Sequence, residues 1–191
     1  MINAFWFQLN KIKSGFSRPT NIPNFETKKL GVLGSGLMGH GIAYVSALSG
    51  IEVVMIDSSM KNAKMGLEKI KSLLNKRLNK GLISEMKKKE VLSQITCSDD
   101  YNTLAGCDLV IEAVFEDREL KGKVTIQAEN IMNSTGVFAS NTSTIPITKL
   151  AKKSIRQDQF IGIHFFSPVH KMKLVEIIKG KNTSDKNFKN R

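Results

Sequence analysis

The sequence predicts an α/β fold, a doubly wound, mostly parallel sheet with a pair of basic helices inserted after the second strand. Three observations predict it. Short apolar, β-branched runs alternate with stretches of helical apolar spacing, and a glycine cluster separates the first such run from the first helix. The third is the balance of 41% apolar to 24% charged residues over 191 positions, which excludes disordered, collagen-like and low-complexity chains.

Residues 1–27 read as a separate amphipathic helix and linker. Ile2, Phe5, Trp6, Leu9 and Ile12 recur at roughly helical spacing until Pro19 and Pro23 interrupt them. No acid occurs before Glu26. That is also how a mitochondrial transit peptide begins, although only Lys11, Lys13 and Arg18 are basic here and serine is sparse; the alternative is a helix that buries its aromatic side against another domain.

The main domain is expected over residues 28–180. Lys28 to Leu33 is a short apolar run ending at glycines, Met38 to Ser49 has helical spacing, and Ile51 to Ile56 is a second β-branched run ending at Asp57, which completes a βαβ unit. Residues 60–80 and 84–95 read as two helices separated by Gly81. Further strands are expected at Leu109 to Val114, Gly136 to Ala139, Phe160 to Ile163 and Leu174 to Ile178, with helical patterns between the first three. Residues 181–191 read as a polar, basic tail without an apolar face.

The formal charge of +12 is concentrated: residues 60–90 hold ten basic side chains and three acids. Such a field favours an anionic partner, whether nucleic acid, anionic lipid or a phosphorylated metabolite. Nucleic acid is disfavoured, because basic and aromatic residues interleave only in the first 25 residues and no recognition motif is present. Cys97 and Cys107 form no CxxC and have no histidine at ligand spacing, so neither a disulfide framework nor a metal site is expected and a reducing interior fits. No apolar run reaches the ~18 residues of a membrane span, and no leader with a small-residue cleavage site is evident. A soluble, cytoplasmic protein is expected, or one of the mitochondrial matrix if the source is eukaryotic.

Gly34-Ser35-Gly36-Leu37-Met38-Gly39 is a G-x-G-x-x-G between a strand and a helix, with an acid about 20 residues on. Gly34 is assigned the tight turn, Gly36 the close approach of a pyrophosphate, and Gly39 the packing of helix on strand, while the helix N-terminus offers Leu37 and Met38 to the anion. Asp57 is placed to accept from a ribose 2'-hydroxyl and to repel a 2'-phosphate; Ser58 and Ser59 follow it, with no adjacent arginine. NAD is therefore expected rather than NADP.

Three later segments fall at strand ends. Acids cluster in Glu112 to Asp117, where Glu116, Asp117 and Glu119 either face a ligand or merely favour the next helix N-terminus. Ser140-Asn141-Thr142-Ser143-Thr144 holds hydroxyls and an amide, residues that more often form turns and caps. His164 lies in an apolar run and Glu176 among Leu, Val and Ile. A carboxylate buried there needs a partner, and a turn at Pro168 would let Glu176 hold His164 in one tautomer and raise its basicity. His40 and His170 are read as structural.

Taken together, and with the strings SNTST and HFFSPVHKMKLVE, residues Lys28 to Gly180 resemble the NAD-binding domain of L-3-hydroxyacyl-CoA dehydrogenases of fatty acid β-oxidation. The wording is nearest the dehydrogenase part of multifunctional fatty acid oxidation α subunits, where a hydratase domain precedes it and a connector resembles residues 4–16. The resemblance implies His164 as general base, Glu176 as its orienting partner and Ser143 on the reacting hydroxyl. It implies Asp57 at the adenosine ribose, and Glu116, Lys121, Ser143 and Ser167 on the nicotinamide side of NAD; Ser167 stands where single-function relatives commonly carry Asn. The substrate implied is a 3-hydroxyacyl-CoA, with the basic helices either receiving CoA phosphates or serving as a solvated surface. In that family a helical domain follows the last strand, covers the site and makes the dimer. It is expected to be absent from these 191 residues, so the chain reads either as the dehydrogenase itself or as an NAD-binding piece that needs a partner polypeptide for turnover.

Overall fold

A computed structural model describes residues 26–185, so the amphipathic helix expected within 1–25 lies outside the described residues. The chain runs β1 (Lys29–Leu33), α1 (Leu37–Leu48), β2 (Glu52–Ile56), α2 (Met60–Asn79), α3 (Glu85–Ser93), β3 (Ile95–Ser98), β4 (Leu109–Glu112), α4 (Arg118–Glu129), β5 (Val137–Ser140), α5 (Ile147–Leu150), β6 (Phe160–Phe165) and β7 (Val175–Lys179). The seven strands form one sheet in the order β3-β2-β1-β4-β5-β6-β7. All neighbours pair parallel except β6 and β7, which are antiparallel. This is the expected doubly wound α/β fold of Rossmann type. The strand order reverses between β1 and β4, and in such sheets a crevice opens there, outside the carboxyl ends of the strands.

Both faces of the sheet are covered, which is why the strands read as continuous apolar runs rather than alternating ones. Leu30, Val32, Val53, Met55 and Ile111 pack with Ile42, Tyr44, Ile70, Leu74 and Val91 of α1 to α3. The intervening Leu33, Val54, Ile56, Val110 and Phe138 pack with Val124, Ala128, Ile147 and Leu150 of α4 and α5.

Three helices start at side-chain caps: Ser59 accepts from the Asn62 amide on α2 (3.2 Å), Ser84 from Lys87 on α3 (3.1 Å), and Asp117 from Leu120 on α4 (2.8 Å). Helix α1 differs. Its N-cap is Gly36, with no side-chain cap, so its first N–H groups are left for an external acceptor.

Two expectations need correction. The second basic helix ends at Ser93 rather than 95, and Ile95–Ser98 is an edge strand paired with β2. The basic pair is therefore the crossover from β2 to β3. The tail does not begin at 181: Thr183 is buried, donates its hydroxyl to the Phe160 carbonyl (2.6 Å) and accepts from the Gly180 amide (2.9 Å). A polar turn docks there because it satisfies buried backbone groups that an apolar one would leave unpaired.

Candidate active site

The glycines of the β1–α1 turn are demanded by the protein itself at two positions. Gly34 has φ +91°, and a Cβ there would lie 2.8 Å from the Ala113 carbonyl oxygen; a Cβ on Gly39 would lie 1.7 Å from the Gly34 carbonyl oxygen. At Gly36 nothing lies within 4 Å of such an atom. Room beside an uncapped helix N-terminus is what a pyrophosphate requires, so the loop fits the expected dinucleotide.

Asp57 ends β2 beside this loop. Its Oδ2 accepts from the Ser35 amide (2.8 Å) and hydroxyl (2.6 Å), and its Oδ1 from the Ser58 amide (2.7 Å) and hydroxyl (3.1 Å). Burial alone would raise its pKa, but these hydrogen bonds, those of Ser35 foremost, outweigh it and leave the carboxyl below its ordinary range. The carboxylate thus braces the phosphate loop and lines the neighbouring groove.

Beyond β4 the acids divide. Asp117 caps α4, accepting from the Leu120 amide. Glu116 turns instead toward the segment after β5: its Oε1 accepts from the amides of Ser143 and Thr144 (both 3.2 Å), from the Thr144 hydroxyl (3.0 Å) and from the Thr142 hydroxyl. Burial works against the charge here too, but Thr142, Lys121 and Thr144 bring the Glu116 pKa down to about 2. Lys121 sits beneath, 2% exposed, with its ammonium 2.9 Å from both oxygens of the fully buried Glu112 and 3.1 Å from Glu116. Burial pushes Glu112 up against the pull of Lys121. An ammonium so engaged holds the Glu112–Glu116 strand end in place; it does not face the cavity.

His164 and Glu176 stand opposite each other in the antiparallel register of β6 and β7. His164 Nδ1 lies 2.9 Å from Glu176 Oε2, and Nε2 lies 3.3 Å from the Ser143 hydroxyl. Because a carboxylate only accepts, Nδ1 carries the proton and Nε2 is left as the acceptor. The expectation that Glu176 is buried is not met: its side chain is 51% exposed, against 18% for His164. Strand β7 is a sheet edge, and its apolar neighbours Val175 and Ile178 are exposed with it.

Two hollows meet at the crevice. One of about 620 Å³ is lined by Gly34, Gly36, Asp57, Ser58 and Tyr101; the other, about 320 Å³, by Met38, Glu116, Asn141, Ser143, His164 and Ser167. Ala113 and Val114 line both. A two-part ligand crossing the β4 end would place one half against Asp57 and the other against His164. Among the described residues no cluster of His, Cys, Asp or Glu is arranged to hold a metal ion.

Asn141, Thr142 and Ser35 stood in the sequence only as members of their motifs, with no role of their own. Their signal was weak because Asn, Thr and Ser after a strand usually form turns, as Thr142 partly does by accepting from the Ile145 amide (3.0 Å).

A family model described as 3-hydroxyacyl-CoA dehydrogenase, NAD binding domain, matches residues 29–191. Among solved structures, an (S)-3-hydroxybutyryl-CoA dehydrogenase of Ralstonia eutropha is 41% identical with a TM-score of 0.83, over 85% of this chain and 58% of that one. A 3-hydroxybutyryl-CoA dehydrogenase of Escherichia coli is 32% identical with a TM-score of 0.83, over 86% of this chain and 35% of that one. The dehydrogenase part of multifunctional enzyme 1 from C. elegans is 27% identical with a TM-score of 0.78, over 88% and 38%. The chain thus spans between about a third and three-fifths of the length of these proteins.

Proposed function

Because this chain belongs to the 3-hydroxyacyl-CoA dehydrogenase family through its NAD-binding domain, we propose that it serves the oxidation of an L-3-hydroxyacyl-CoA to the 3-ketoacyl-CoA in fatty acid β-oxidation. The single observation that carries the reading is the line from Glu176 through His164 to Ser143 at the wall of the smaller hollow. NAD, held by Gly34, Gly36, Leu37, Met38, Gly39, Asp57, Glu116 and Ser167, supplies the hydride acceptor when bound.

His164 does the proton chemistry. Its Nε2 takes the hydroxyl proton of C3 as the C3–H bond gives up its electron pair, and the lone pair left on oxygen closes the carbonyl. Glu176 fixes the tautomer and stabilises the imidazolium that forms. Ser143, which donates to Nε2 in the resting site, turns its hydroxyl to the reacting oxygen. Lys121 supports this arrangement from below through Glu116. The basic surface of α2, including Lys69 beside Gly36 and Asp57, is assigned to the phosphates of CoA. The proposed compartment is the cytoplasm, or the mitochondrial matrix in a eukaryote; no described helix is long and apolar enough to cross a membrane.

A second reading is favoured by the exposure of Glu176 and of the apolar side chains around it. In this reading the chain binds NAD but turns over only when another polypeptide, a hydratase or further dehydrogenase domain, covers the site, since lost positioning alone costs orders of magnitude. NADH formation from 3-hydroxybutyryl-CoA, with His164→Ala as control and NAD binding followed in parallel, separates the two. Turnover that depends on His164 supports the enzyme; NAD binding without turnover supports the module; turnover that His164→Ala leaves intact would overturn the assignment of the base.

A further inference from the structure

Asn141 takes no part in the proton chemistry and is nonetheless buried, at 8% exposure, in the wall of the hollow that holds His164, Ser143 and Ser167. Its amide orientation is settled by its neighbour. The Phe165 backbone N–H donates to Asn141 Oδ1 at 2.8 Å, across the β5–β6 seam, and a donor must meet the oxygen. Nδ2 therefore points the other way, where it makes no hydrogen bond to the protein. It is also not among the sealed, unpaired side-chain atoms, since Arg77 Nε alone has that status among the described residues. A buried asparagine with an unengaged but accessible NH₂ group, in a residue that lines one hollow, presents that group to the hollow.

Its place along the crevice narrows the acceptor. The Asn141 N–H is bonded to the Glu112 carbonyl (2.9 Å), so the residue sits beside the Ala113–Val114 crossing shared by both hollows, between that crossing and the His164–Ser143 pair. A redox ring that receives hydride next to His164 must occupy this interval, and the polar substituent on a nicotinamide ring is its carboxamide. We propose that Asn141 Nδ2 donates to the carboxamide oxygen of the nicotinamide and so sets the orientation of the ring in the hollow. The proposal rests on the NAD reading above. Held at Oδ1 by the sheet, the donor is preorganised and loses little freedom on binding.

The test is a binding cycle that needs no turnover. The chain and its Asn141→Asp variant, which keeps an acceptor for Phe165 N–H and removes the donor, are titrated with NADH, with its thionicotinamide analogue, and with ADP-ribose, which lacks the ring. In the unaltered chain the sulfur analogue, a poorer acceptor, is expected to bind about three- to tenfold more weakly than NADH. In Asn141→Asp that discrimination disappears while ADP-ribose affinity stays within about twofold. Equal binding of NADH and the sulfur analogue by the unaltered chain, or discrimination undiminished in the variant, overturns the proposal, and the first comparison decides even if the variant fails to fold. Failure of the unaltered chain to bind both NADH and ADP-ribose would instead remove the cofactor reading beneath it.

Discussion

Replacing Lys121 by methionine leaves Glu112 fully buried with its only counter-charge among these contacts gone. The ammonium contacts at 2.9 Å to both carboxylate oxygens disappear, and what remains is the Ser140 hydroxyl and the Val114 amide at 3.3 Å. Neither Glu112 nor the residue at 121 is open to water, so solvent does not restore the charge. Breaking such a pair costs about 3–5 kcal/mol near neutral pH. The pH dependence gives the cause away. Burial already holds Glu112 above its ordinary range with Lys121 present. Without Lys121 its folded pKa rises further above the unfolded value, so the folded state keeps a proton the unfolded state releases. Stability is then retained at low pH and lost as pH rises, at about 1.4 kcal/mol per pH unit, until the folded pKa is passed. Urea unfolding at about pH 5 and about pH 7 should therefore show a loss larger by up to about 2.5 kcal/mol at the higher pH. Adding Glu112→Gln should return at least half of it. A loss equal at both pH values, unrelieved in the double variant, would refute the account of Lys121 as the counter-charge of Glu112.

Gly39→Ala puts a Cβ 1.7 Å from the Gly34 carbonyl oxygen, so α1 must shift; about 1–3 kcal/mol of stability and more than tenfold in NAD affinity should go, by thermal melt and NADH fluorescence titration. Glu116, held at about 2 against an ordinary 4.5, contributes stability that is present above 4.5 and lost as pH falls toward 2; acid unfolding of Glu116→Gln, followed by circular dichroism, should show a shallower fall across that window. Burial pushes the Cys107 thiol up to about 11, so iodoacetamide at neutral pH should label it only after unfolding, as mass spectrometry of timed samples would reveal.

The βαβ unit with its glycine turn was legible because its parts are local: strand, turn and helix are contiguous from Lys29 to Ile56, and Gly34 answers a torsion and Gly39 a contact within the same unit. Strand β3 was not legible, since Ile95–Ser98 is four residues long with only Ile95 and Cys97 apolar, too short a pattern to distinguish from the end of a helix. Glu176 was singled out on the ground that a carboxylate among Leu, Val and Ile is buried. The pairing with His164 is there and the burial is not: the strand is an edge, and the antiparallel register, not desolvation, brings the two side chains together.

By itself the sequence determined the alternation of apolar runs and helices, hence the doubly wound sheet, and the glycine turn and terminal acid of its first unit, because these depend on periodicity and on backbone geometry over a few residues. Only the tertiary structure decided which charges are spent inside and which face the crevice. Glu112, Glu116, Lys121, Ser143 and Asn141 come from segments up to 31 residues apart, joined by strand order and register. The partner a polar side chain finds across such a sheet settles whether it braces the fold or remains available to a ligand.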